Sequence, residues 1–101
     1  MPALTIISWR DIPAQVIVKR GRESAKVQLS ARFQEAVDRA AMRAGKGASD
    51  AYLADWKRSE PRPCGEDIQA EAAAEAARIE ARFSDADLEA LVRAKGLAAG
   101  S

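Results

Sequence analysis

The sequence predicts an α+β fold: a three-stranded antiparallel β-meander packed by two helices, followed by a C-terminal helical hairpin. Three observations lead there. Residues 4–29 are β-branched apolar runs separated by tight turn signals. From residue 31 the apolar spacing changes to a helical period. A Pro-rich break at residues 59–65 then divides this part from an Ala- and Glu-rich tail. The expected organisation is an α+β domain at 1–60, a mobile Pro/Gly linker at 61–65 and a helical hairpin at 66–101.

Residues 4–9, Leu-Thr-Ile-Ile-Ser-Trp, suit a first strand. Pro13 fixes its own φ and pushes Ile12 toward an extended conformation, so the chain turns around Arg10 and Asp11. Residues 14–20 resume as a second strand. Their unbroken Val16-Ile17-Val18 centre predicts burial on both faces, as in a middle strand. Gly21 supplies the next tight turn. Residues 24–29 then alternate, with Ala25, Val27 and Leu29 inward and Lys26 and Gln28 outward.

Ser30 is placed to cap a helix over 31–44, in which Phe33, Val37, Ala40, Ala41 and Ala44 share one face. Glu35 and Arg39 form an i,i+4 pair on its outer side. Ser49 is placed to cap a short second helix carrying Tyr52, Leu53 and Trp56. In the tail, Ile68, Ala72, Ala76, Ile79 and Phe83 make a narrow apolar stripe. Ser84 with Asp87 suggests a capping box, and Phe83 is placed to staple onto Leu88. Leu88, Leu91 and Val92 face inward, and Gly96 suits the C′ position. The tail is poor in large apolar residues, so it is expected to pack on its own sheet or on another chain.

Composition excludes several chemistries. There is no histidine and a single cysteine, Cys64. Ser-His-Asp and Cys-His catalysis, His metal sites and single-chain thiolate clusters are therefore out of reach. Gly45-Lys46-Gly47 lacks the spacing of a phosphate loop. No catalytic motif is legible, and the expectation is a non-enzymatic protein without cofactor or metal. The lone cysteine requires no oxidising compartment, and no apolar run reaches membrane-spanning length. The expectation is a cytoplasmic protein with no membrane association.

Charge is uneven although the net charge is only +1. Residues 1–32 carry Arg10, Lys19, Arg20, Arg22, Lys26 and Arg32 against Asp11 and Glu23, while the remainder is net acidic. Lys19, Arg20, Arg22 and Lys26 flank the second turn, either as a basic patch for a phosphate, an acidic partner or nucleic acid, or as charge that solubilises a hairpin and protects its edge. Trp9, Arg10 and Asp11 are residue types suited to an interface, but a tryptophan that closes a strand is more often at a core edge. Tyr52 and Trp56, one helical turn apart, admit the same two readings. The candidate partner-binding residues are thus Trp9, Arg10, Asp11, Lys19, Arg20, Arg22, Lys26, Tyr52 and Trp56. Cys64 beside Arg62 is a further candidate, as a reactive thiol.

Four runs carry a resemblance: Trp-Arg-Asp-Ile-Pro-Ala-Gln-Val-Ile from Trp9, Arg-Gly-Arg-Glu-Ser-Ala-Lys-Val-Gln-Leu from Arg20, Arg-Phe-Gln-Glu-Ala-Val-Asp-Arg-Ala-Ala-Met from Arg32, and Ser-Asp-Ala-Tyr-Leu-x-x-Trp from Ser49. Over roughly residues 4–60 the chain resembles the small bacterial virulence factor family. The resemblance implies no catalytic residues. Stand-alone members resemble products encoded beside corrinoid- and folate-dependent methyl-transfer genes, which implies an accessory subunit. The resulting expectation is a non-catalytic protein-binding or accessory subunit with a larger protein partner. The alternative is weak nucleic-acid or anionic-ligand binding by the basic hairpin.

Overall fold

The computed structural model describes residues 2–45 and 54–97. It is α+β, with an antiparallel sheet and, among the described residues, three helices. Strands β1 (Ala3–Trp9), β2 (Ile12–Arg20) and β3 (Glu23–Gln28) follow one another and pair in the order β3-β2-β1. The sheet continues past β1. Strands β4 (Trp56–Arg58) and β5 (Arg62–Pro63) both pair with its far edge, β4 against Ile7–Trp9 and β5 against Ala3–Leu4. Between them Ser59 completes the edge: its N–H donates to the Ile6 carbonyl at 2.9 Å, and its hydroxyl accepts the Ile6 N–H at 2.9 Å.

One expectation is corrected here. Trp56 opens strand β4 instead of belonging to a helix. Ser49, Tyr52 and Leu53 lie outside the described residues. The stretch 61–65, expected as a mobile linker, contains β5, and the Cys64 N–H donates to the Pro2 carbonyl at 3.2 Å. Proline fits there because β5 is short and lies at the sheet margin.

One side of the sheet is covered by helices α1 (Ala31–Arg43) and α2 (Ile68–Arg82), with α3 (Asp85–Arg93) following beside α1. Helix α2 lies across β2 and β3, and α3 packs against α1. The tail therefore buries its stripe on its own sheet. Ile68, Ala72, Ala76 and Ile79 join Leu4, Val16, Val18, Phe33, Val37 and Leu88 in one hydrophobic cluster. The many alanines of α2 allow a close approach to the sheet, which a bulkier stripe would prevent.

A register slip in the β1–β2 pair decides which residue of β2 Trp9 meets. Leu4 and Ile6 pair with Val18 and Val16. Between Ile7 and Ser8 the register shifts, with Ala14 as the extra residue on β2. The Ala14 carbonyl accepts from the Leu29 N–H at 3.0 Å and the Gln34 side chain at 3.2 Å. Beyond the slip Trp9 pairs with Ile12, and both are fully buried.

The helix ends differ from one another in instructive ways. Ser84 caps α3 as expected: its hydroxyl accepts the Asp87 N–H at 3.1 Å, and the Asp87 carboxylate accepts the Ser84 N–H at 2.9 Å. These bonds hold the Asp87 carboxyl below its usual range. Ser30 occupies the cap position of α1 but makes no side-chain cap. Its N–H and hydroxyl donate instead to the Glu80 carboxylate of α2, at 2.7 and 3.0 Å. Ser84→Ala should thus lower stability by about 1 kcal/mol, measurable by urea titration, because the cap is lost without any compensating tertiary contact.

Other pairs also run between elements. Arg39 reaches across to Glu89 of α3, at 2.6 Å, instead of forming the expected pair with Glu35. Phe83 meets the Phe33 ring edge-on at 5.8 Å. Gly96 is one position beyond that expected. Lys95, at φ +60°, takes the C′ place, and the Lys95 and Gly96 N–H groups close a Schellman turn onto Val92 and Leu91.

Candidate docking face

The sequence-predicted candidates divide into three groups. Trp9, Arg10 and Asp11 form an internal clamp. The Trp9 ring is fully buried, with the Arg10 guanidinium 4.9 Å above it, so it offers no surface to a partner. Arg10 takes a positive φ of 52° and donates to the Lys95 carbonyl at 2.8 Å. It also pairs with Asp55 at 3.3 Å, while the Asp11 N–H donates to the Gly96 carbonyl at 2.8 Å. The Asp11 carboxylate accepts from Lys57 Nζ at 3.1 Å. These residues tie the first turn to the end of α3 and the start of β4.

The second group is the basic hairpin, which is not one patch. Arg20 is held by Glu23 at 2.9 Å and by the Glu66 carbonyl at 2.7 Å. The hydrogen bond and charge of Glu23 push the Arg20 guanidinium pKa further up. Arg22 sits exposed in the turn. Lys19 and Lys26 project from the face of the sheet opposite the helices, since they alternate with the inward Val18, Ala25 and Val27. Tyr52 lies outside the described residues.

The third group is assembled only by folding. On the uncovered face, Ile7, Gln15, Ile17, Lys26, Trp56, Lys57 and Arg58 line one open groove of about 400 Å³. Its residues come from four strands. Ile17 of β2 is directly opposite Lys26 of β3, and Ile7 of β1 is directly opposite Arg58 of β4. Three cations and no carboxylate line it. Lys57 is engaged with Asp11, whereas Lys26 and Arg58 are exposed. Sequence reasoning missed Ile7, Gln15, Ile17, Lys57 and Arg58 as site residues. The one available signal was the Trp-Lys-Arg run at residues 56–58, obscured by its assignment to a helix end.

Elsewhere the charged chemistry is internal. Glu75 is buried in α2, and its Oε1 accepts from Arg62 at 2.6 Å and from Arg78 at 2.7 and 3.0 Å. Burial pushes the Glu75 carboxyl up, but the two guanidinium groups outweigh it and hold the pKa below the usual range. Glu80 behaves likewise, with burial outweighed by Ser30 and Arg32. Cys64 does not have the lowered pKa of a reactive thiol. Burial, followed by the charge of Glu71, raises it against the opposing effect of Arg62. Among the described residues no three His, Cys, Asp or Glu side chains gather as metal ligands, and no helix is long and apolar enough to cross a membrane.

The virulence factor family profile matches residues 7–92. The chain belongs to this family. The match runs well past residue 60, over α2 and most of α3, which pack on the sheet and on α1 respectively and not on each other as the expected hairpin. That extent agrees with the packing, in which α2 and α3 contribute to the same cluster as the sheet. It also includes every groove-lining residue. No curated protein and no solved structure matches the chain.

Proposed function

We propose that this virulence factor domain is a non-catalytic protein-binding or accessory module that docks a partner on the uncovered face of its sheet. The observation that carries the reading is the groove itself, an apolar floor of Ile7, Ile17 and Trp56 rimmed by cations with no carboxylate among them. Apolar side chains gathered on an open sheet face favour association. The carboxylates best placed to act as acids or bases are engaged elsewhere: Glu75 with Arg62 and Arg78, Glu80 with Ser30 and Arg32, Glu89 with Arg39. The metabolic setting of corrinoid- and folate-dependent methyl transfer rests on the family resemblance alone. The alternative reading, anion or nucleic-acid binding by the basic hairpin, draws less support, because Arg20 is committed to Glu23 and Glu66.

The test uses the tagged full chain as bait beside an Ile7→Gln variant. Ile7 is only half-buried, so the variant is expected to melt within a few degrees of wild type. A partner held by wild type and lost by the variant supports the reading. Equal retention by both, or no retained protein from native extract, counts against it.

A further inference from the structure

The groove has a charge layout that selects among protein partners. Lys26 stands on β3 and Arg58 on β4, the two outer strands of the order β3-β2-β1-β4. Ile17 and Ile7 lie on the two strands between them. Three inter-strand steps of about 4.8 Å separate the two cations' strands by roughly 14 Å. The face is therefore a channel with Ile17, Ile7 and Gln15 along its centre and a cation on each bank. Its width accommodates the roughly 10 Å cross-section of a single helix. Neither Lys26 nor Arg58 has a carboxylate facing it within the groove, so negative charge must come from the occupant.

We propose that the channel takes an acidic amphipathic segment of the partner protein, with large apolar side chains on Ile7, Ile17 and Trp56 and carboxylates toward Lys26 and Arg58. This rests on the protein-binding reading above and specifies the chemistry of its ligand. A single-stranded nucleic acid fits less well. Base stacking on a sheet needs aromatic rings at its centre, and here the two central strands contribute Ile7, Ile17 and Gln15 and no ring. Trp56 stands at the β4 margin. An uncharged apolar segment would leave both cations unpaired at the rim of the contact.

The probe is a short amidated peptide with Leu and Glu at helical spacing, compared with its Gln-for-Glu counterpart. Tryptophan emission reports binding, because the Trp9 ring is shielded while Trp56 lines the groove. The acidic peptide should bind with an affinity that falls as salt rises. The double variant Lys26→Glu/Arg58→Glu should weaken it by about tenfold or more, through loss of two complementary charges. Arg22→Glu, a like charge change at the exposed turn outside the groove, should leave it unchanged. Equal binding of the Gln peptide would overturn the acidic requirement while leaving the docking face intact. Equal weakening by Arg22→Glu would reduce the effect to net charge. Failure of both peptides to bind, or tighter binding of a single-stranded oligonucleotide at the same salt, would overturn the proposal. The protein-binding reading is judged separately, by whether Ile7→Gln loses a captured partner.

Discussion

Gly96→Ala should destabilise the protein by about 2–5 kcal/mol, the combined effect of left-handed backbone strain and overpacking. Gly96 has φ +88°, and an added methyl carbon would lie 2.8 and 3.1 Å from two carbons of the Trp9 ring. That ring is fully buried and held under Arg10, so it has nowhere to move. For a domain of this size the melting temperature should fall on the order of 10 °C or more. Gly21→Ala is the control. Gly21 has a similar positive φ of 59°, but a methyl there would meet nothing within 4 Å. Its cost should be the backbone strain alone, about 1 kcal/mol. Equal losses in the two variants, followed by circular dichroism, would show that the Trp9 contact contributes nothing. Trp9→Phe should narrow the difference between the two alanine variants, since the six-membered ring it removes supplies both close carbons.

Glu75→Ala should cost about 2–4 kcal/mol, below the full value for breaking a buried ion pair because Arg62 and Arg78 are each half-exposed and can turn to water. Glu75→Leu should be far milder, because an apolar side chain fills the same buried position over the sheet. The pH dependence separates the two effects. The folded Glu75 carboxyl has a lowered pKa, so the stability it contributes is fully present above the ordinary carboxylate range. It is lost as pH falls through the folded value. Wild type should therefore lose stability on acidification more steeply than Glu75→Leu, with the remaining slope due to Glu80, Asp87 and Glu89, whose pKa values are also lowered. Parallel acid limbs, measured by urea midpoints across that range, would remove Glu75 as an acid-sensitive contact.

Local patterns determined much of this fold. β-Branched runs broken by Pro13 and Gly21 are enough to specify β1, β2 and β3, because strand and turn preferences act over a few residues. The helical stripe of α2 and the Ser84–Asp87 box were legible for the same reason. Four features were settled only by tertiary structure. Arg39 has two acidic partners within reach, and only the packing of α3 on α1 favours Glu89 over Glu35. Ser30 gives up its cap because Glu80 approaches from another element. Trp56 becomes a strand residue because the free edge of β1 offers hydrogen bonds that no local preference registers. The groove on the open face is the fullest case. Ile7, Ile17, Lys26 and Arg58 are spread over more than fifty positions, and strand pairing alone makes them neighbours. The sequence by itself determined which residues are apolar and which are charged. The sheet order and the one-sided helical cover decided which of them share an open face, since helices that bury one side of a sheet leave the other to solvent or to a partner.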